Sequence, residues 1–126
     1  MIVGLGIDAS AVERCLNKGE HFVKKFFHPD EYERWKSMEE SAPEIRAQFL
    51  ASRFAVKEAY AKARGTGFCA QVVPCEINTV TDSLGKPQVR LSGATLESHP
   101  QGCSIHVSIT HEKPLAIAVV IIEKEG

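Results

Sequence analysis

The stretch from Ala47 to Gly67 constrains the fold more than any other part of the chain. Alanines at 47, 51, 55, 59 and 63 recur every four residues, interleaved with Phe49, Leu50, Phe54 and Tyr60. Residues four apart share one face of a helix, so these alanines form a narrow stripe against which neighbouring backbone can pack closely. Pro43 suits the opening of this helix, and Gly65-Thr66-Gly67 stops it, with Gly65 placed as the left-handed residue after the last turn.

The flanking segments predict an α+β fold. Ile2 to Ile7 is a β-branched, glycine-interrupted apolar run, read as a buried strand whose glycines permit close backbone approach, and Asp8 ends it. Ser10-x-x-Glu13 matches a capping box, which predicts a first helix from about residue 11 toward Lys25. Pro29, followed by Tyr32 and Trp35 on one face, predicts a second short helix. Glu76–Asp82, Gln88–Leu91, Ile105–Thr110 and Leu115–Glu123 read as strands, with turns at Ser83–Lys86 and Glu112–Pro114 and a brief helix over 93–99. At 126 residues the chain fits one domain, 1–126, with no repeat or linker inside it.

Apolar residues make up 44% and the net charge is −1, so a folded core is expected, and nothing pulls the chain toward nucleic acid or a membrane surface. Charge is uneven locally. Residues 30–44 carry six acids against Arg34 and Lys36, whereas residues 46–64 carry five bases against Glu58 alone. The simplest role for such a run is a solvated face. Cys15, Cys69, Cys75 and Cys103 stand at irregular gaps without a C-x-x-C pair, which favours reduced thiols and a cytoplasmic protein over a zinc site or a disulfide framework. The start has no basic leader, and no stretch reaches the roughly 18 apolar residues of a spanning helix.

The residues alone leave the chemistry open. Glu58 and Lys62, four apart, make a favourable surface pair, yet Phe54 one turn earlier sets the carboxylate beside core. Asp8, at a strand end, serves either as a helix-start cap or as a cleft carboxylate. Mg²⁺ commonly takes one or two carboxylates plus phosphates and water, so Asp8 and Glu58 brought together would make such a half-site, with Lys62 neutralising phosphate oxygens.

Gly6-Ile7-Asp8 with Glu13-Arg14, Arg53-Phe54-x-x-Lys57-Glu58-Ala59-x-x-Lys62-Ala63-x-Gly65-Thr66-Gly67, Gly85-Lys86-Pro87-x-x-x-Leu91 and His106-Val-Ser-Ile-Thr-His111 resemble, in matching order, the holo-[acyl-carrier-protein] synthase family of small 4′-phosphopantetheinyl transferases. The second block is the most specific. The resemblance implies a small antiparallel sheet packed on a long central helix. It also implies transfer of 4′-phosphopantetheine from coenzyme A to a serine of an acyl carrier protein, releasing adenosine 3′,5′-bisphosphate. By the same resemblance, Asp8 and Glu58 hold Mg²⁺, and Lys62, Gly65, Arg53 and His106 contact coenzyme A. The serine is activated by Glu58 or by metal-bound water. Arg14 and Lys18, on a segment carrying a net +2 over residues 13–25, are expected to dock the acidic carrier. Homotrimers with active sites between subunits are implied too. His111 with Glu112 is left without a role, and His21, His28 and His99 are read as surface residues.

Two features depart from the family pattern. Ala9-Ser10-Ala11 follows Asp8 where bulkier apolar residues are usual, which predicts looser packing beneath the ligand. The apolar segment Phe68–Cys75 lines either the pantetheine channel or a subunit contact. The alternatives are a Mg²⁺-dependent phosphate-ester hydrolase and a non-catalytic coenzyme A-binding or nucleotide-binding module.

Overall fold

In the computed structural model, which describes residues 1–126, the alanine-striped segment is a 22-residue helix, α3 (Pro43–Arg64). Proline stands in its first turn, and Gly65 closes it in the left-handed conformation at φ 80°. The other elements wrap this helix: β1 (Ile2–Ala11), α1 (Glu20–Phe26), α2 (Pro29–Lys36), β2 (Ile77–Thr81), β3 (Pro87–Leu91), α4 (Gly93–Ser98), β4 (Cys103–Glu112) and β5 (Leu115–Lys124). Single 3-10 turns stand at Val12–Cys15 and Pro74–Glu76. No helix is long and apolar enough to cross a membrane.

The main sheet is antiparallel in the order β1-β5-β4, and the β2-β3 hairpin continues around α3 beside β4. β5 alternates strictly: Ala116, Ala118, Val120 and Ile122 are buried toward α3, and Ile117, Val119 and Ile121 lie on the opposite face. β1 lies directly on the helix because Gly4 and Gly6 have no side chain. A Cβ on Gly6 would overlap the Ala59 carbonyl oxygen and stand 2.8 Å from Ala63 N, and one on Gly4 would overlap the Ala63 carbonyl oxygen. The alanine stripe and the glycine strand are thus complementary halves of one close contact; the sequence predicts close backbone approach at each, and the fold joins the two.

Apolar clusters occupy both sides of α3. One joins Ala55, Ala59, Tyr60 and Ala63 to Ala118, Val120 and Ile122; the other joins Phe49, Leu50 and Ala51 to Val12, Val23, Phe27 and Trp35. Each fully buried side chain such as Leu50 or Ile122 contributes about 1.5–3 kcal/mol through area removed from water.

The predicted first helix is corrected. β1 does not end at Asp8 but pairs with β5 through Ala11↔Leu115, and Val12 N still donates to Pro114 O at 3.0 Å. Ladder pairing with β5 therefore outcompetes the Ser10/Glu13 capping box; the following turn has Ala11 at its start and no side-chain cap. α1 begins only at Glu20, so Arg14 sits on a 3-10 turn and Lys18 on the connection after it. The second helix does start at Pro29, and its capping box is made by His28 and Glu31.

Candidate functional site

Asp8 and Glu58 meet because β1 rests on α3. Even-numbered β1 residues face the helix, and Asp8, two residues beyond Gly6, points toward the flank where Glu58 emerges one residue before Ala59. Burial and the Asp8 carboxylate push the Glu58 carboxyl above its ordinary range, and Lys62 partly offsets this. Lys62 Nζ donates to Asp8 Oδ1 at 3.1 Å and to Ile7 O at 3.0 Å. The expected Glu58–Lys62 surface pair is replaced by this Asp8–Lys62 pair, since the strand brings an acceptor within direct reach. Two half-buried carboxylates and a lysine thus form one constellation across two elements.

No third carboxylate, imidazole or thiol joins Asp8 and Glu58. The donor set suits a hard cation that completes its shell with phosphate oxygens and water, as Mg²⁺ does. It does not suit zinc, which needs three or four protein ligands.

A cleft of about 340 Å³ opens beside the pair, lined by Ser10, Arg14, Cys15, Lys18, Phe22 and Phe54. Ser10 follows Asp8 on the same strand face, and Phe54 precedes Glu58 by one helical turn. The small residue after Asp8 therefore leaves a hollow, while Ala9 faces outward. Arg14 and Lys18 are exposed at the rim, and Lys18 Nζ lies 4.8 Å from the Phe22 ring centre. Phe54 is wedged among Phe22, Phe27 and Phe68, which brings the 68–75 segment to this wall.

His106 and Arg53 lie elsewhere in the subunit. His106 pairs across from Ile121 on β5, so it points away from α3 on the face opposite Asp8, together with exposed Ser108 and Thr110. It contacts Glu123 Oε1 at 2.9 Å and lines a cleft of about 520 Å³ with Lys86, Pro87 and Gln88. Arg53 leaves the other flank of α3 and lines a cleft of about 150 Å³ with Asp30, Arg34, Asn78 and Thr79. Arg53 Nε, Asn78 Oδ1 and Thr79 Oγ1, the buried side-chain polar atoms without a partner, all line this one cleft.

Two networks escaped the sequence reading. Lys57, counted in the basic run as a solvated charge, is fully buried and donates to Glu31 Oε1 at 2.5 Å, Ile77 O at 2.5 Å and Pro74 O at 2.9 Å. Its apolar helical neighbours Ala55, Val56, Ala59, Tyr60 and Ala61 were the available signal. His99 is not a free surface residue: Tyr60 Oη lies 2.7 Å from Nδ1, and Nε2 lies 3.1 Å from Cys103 O. A carbonyl only accepts, so Nε2 carries the proton and Nδ1 accepts from Tyr60, whose oxygen accepts from Arg64 Nη1 at 2.8 Å. His28 is half-buried and accepts from Asp30 N at 3.0 Å.

Known proteins match this chain over nearly its whole length. The family model of the 4′-phosphopantetheinyl transferase superfamily matches residues 4–120. A holo-[acyl-carrier-protein] synthase from Desulfovibrio desulfuricans is 42% identical over 129 aligned positions, covering 98% of each chain, and one from Treponema denticola is 43% identical, covering 98% of this chain and 99% of its own. The crystal structure of a holo-(acyl-carrier-protein) synthase from Bacillus anthracis, in complex with CoA (3′,5′-ADP), superposes with a TM-score of 0.83 at 34% identity over 99% of both chains. That of the enzyme from Neisseria meningitidis gives 0.86 at 32% identity over 98% of this chain and all of its own. With the family model matching residues 4–120 and relatives 42–43% identical over nearly the whole length, the chain belongs to the 4′-phosphopantetheinyl transferase superfamily.

Proposed function

We propose that this protein is a holo-[acyl-carrier-protein] synthase: it transfers the 4′-phosphopantetheine group of coenzyme A to a serine of apo acyl carrier protein and releases adenosine 3′,5′-bisphosphate, serving fatty acid synthesis in the cytoplasm. The convergence of Asp8, Glu58 and Lys62 carries the reading. Asp8 and Glu58 would hold Mg²⁺, which, when bound, neutralises charge on the pyrophosphate of coenzyme A. Lys62 clamps phosphate oxygens as a point charge, and the exposed turn at Gly65 leaves room beside it. Glu58, or a water it orients, would accept the serine proton as the serine oxygen attacks phosphorus and the bond to the 3′,5′-bisphosphate leaving group breaks.

A homotrimer would complete the site. His106 and Arg53 are turned away from the Asp8–Glu58 pair of their own subunit, so each would reach coenzyme A held by a neighbour. Val3, Leu5 and Ile7 on the outer face of β1 are 48%, 64% and 61% exposed, an apolar stripe that a second copy would cover. Arg14 and Lys18 offer the acidic carrier a cationic rim beside the reaction centre.

Intact-mass measurement of apo acyl carrier protein incubated with this protein, coenzyme A and Mg²⁺ tests the reading. A gain equal to one phosphopantetheine is expected. Phosphate-ester cleavage with unmodified carrier would make the protein a hydrolase, and coenzyme A binding without turnover would make it a binding module.

A further inference from the structure

Glu31 and Lys57 form an ion pair with side-chain exposures of 1% and 0%. All three Lys57 ammonium protons are used, on acceptors from three separate places: Glu31 on α2, Pro74 in the second 3-10 turn and Ile77 at the start of β2. Glu31 is equally committed. Its Oε1 also accepts from His28 N at 3.1 Å, and its Oε2 accepts from Thr79 N at 3.2 Å. One buried pair therefore joins α2, α3, the 74–76 turn and β2.

A buried ion pair is a poor way to gain stability, because desolvation of both charges offsets their attraction and an apolar pair of similar volume often does as well. Its directionality is what an apolar pair lacks. Lys57 and Glu58 are consecutive, so they leave α3 about 100° apart. The pinned residue faces the hairpin side, and the candidate metal ligand faces Asp8 on β1. On the β1 side α3 is held by smooth backbone contact against Gly4 and Gly6 and by the long, half-exposed Lys62 side chain, which reaches Ile7 O and Asp8 Oδ1. Glycine and alanine surfaces fix distance but resist rotation weakly.

We propose that the Glu31–Lys57 pair is a positioning device for phosphopantetheinyl transfer, setting the rotation of α3 so that Glu58 faces Asp8. A helix rotation of about 10° displaces a carboxylate standing ~6 Å from the axis by about 1 Å, a misplacement that costs on the order of 100-fold in rate. Lys57 touches neither substrate nor metal and acts through Glu58. The inference rests on the transferase reading, and the parent protein in the same assay separates the two: absence of carrier modification by the parent counts against the reading, not against the pin.

The test is Lys57→Met/Glu31→Gln, which removes both charges while the glutamine carbonyl can still accept from Thr79 N or His28 N. The expected result is a melting temperature close to the parent's, KM for coenzyme A and carrier changed less than about threefold, and kcat lowered by on the order of 100-fold. A folded double variant with parent kcat overturns the proposal, as does a loss lying wholly in KM. Glu31→Asp alone, which keeps both charges but withdraws the carboxylate from Lys57 by one methylene, supplies the same split if the double variant does not fold. Here kcat is expected to fall by about tenfold at unchanged KM, and an unchanged kcat overturns the proposal.

Discussion

Replacing Gly6 with alanine tests the claim that backbone contact between β1 and α3 builds the site. The added Cβ would overlap the Ala59 carbonyl oxygen and lie 2.8 Å from Ala63 N and 2.9 Å from Ala59 C. Carbon settles at roughly 3.5–4.0 Å from such neighbours, so β1 must lift from the helix by about 1 Å. Neither contact partner can yield, because both belong to the backbone of α3, whose hydrogen bonds fix it. Lifting β1 also strips the Gly4–Ala63 contact and loosens Ala59, which is now wholly buried. Overpacking of this kind costs about 3 kcal/mol, at the upper end for a single methyl group. For a domain of this size that corresponds to a drop of roughly 10 °C in melting temperature. The same displacement carries Asp8, two residues on, away from Glu58, so kcat is expected to fall on the order of 100-fold. Differential scanning calorimetry and carrier-modification kinetics on Gly6→Ala read both effects. A variant melting within 2 °C of the parent, by order of magnitude well below the overpacking cost, would refute the close-contact account.

Glu58→Gln is expected to lower turnover by on the order of 100-fold or more with an unchanged melting temperature, since it removes the charge of a half-buried carboxylate proposed to hold the cation; quench-flow or intact-mass kinetics check it. Arg14→Ala together with Lys18→Ala is expected to raise KM for the carrier several-fold at low ionic strength and to lose most of that effect at high salt, because exposed steering charges are screened. His99 must be neutral to accept from Tyr60, and burial lowers its affinity for the proton. The unfolded chain thus takes up that proton first, and this contribution to stability, complete above the ordinary value of 6.5, falls as pH drops below it. Melting curves at pH 7.5 and 5.5 (values chosen about one unit either side) should show a steeper loss for the parent than for His99→Phe; equal slopes would remove His99 from the account.

Elements built on local pattern were legible in the sequence. The alanine spacing and Gly65 define α3, and the apolar alternation from Leu115 onward defines β5. The first helix was not, because Ser10 and Glu13 carry a capping pattern that only the distant partner strand β5 overrides. The burial of Lys57 was hidden for a similar reason: its partner Glu31 lies 26 residues away, and charge counting along the chain cannot see a pair that forms across it. Asp8 and Glu58 each carried an ordinary structural role until the fold joined them. His106 and Arg53 were legible as residues of the family pattern, but their turning away from Asp8 became visible only from strand register and helix flank.

The most direct measurement is the rate of holo carrier formation against Mg²⁺ concentration, for the parent and for Asp8→Asn, with a chelator-treated control. If Asp8 and Glu58 together hold the cation that serves phosphopantetheine transfer, the parent rate saturates with Mg²⁺ and vanishes in excess chelator, whereas Asp8→Asn stays folded and shows little turnover at any Mg²⁺ concentration. Full parent turnover in excess chelator, or parent-like Mg²⁺ dependence in Asp8→Asn, would contradict the account.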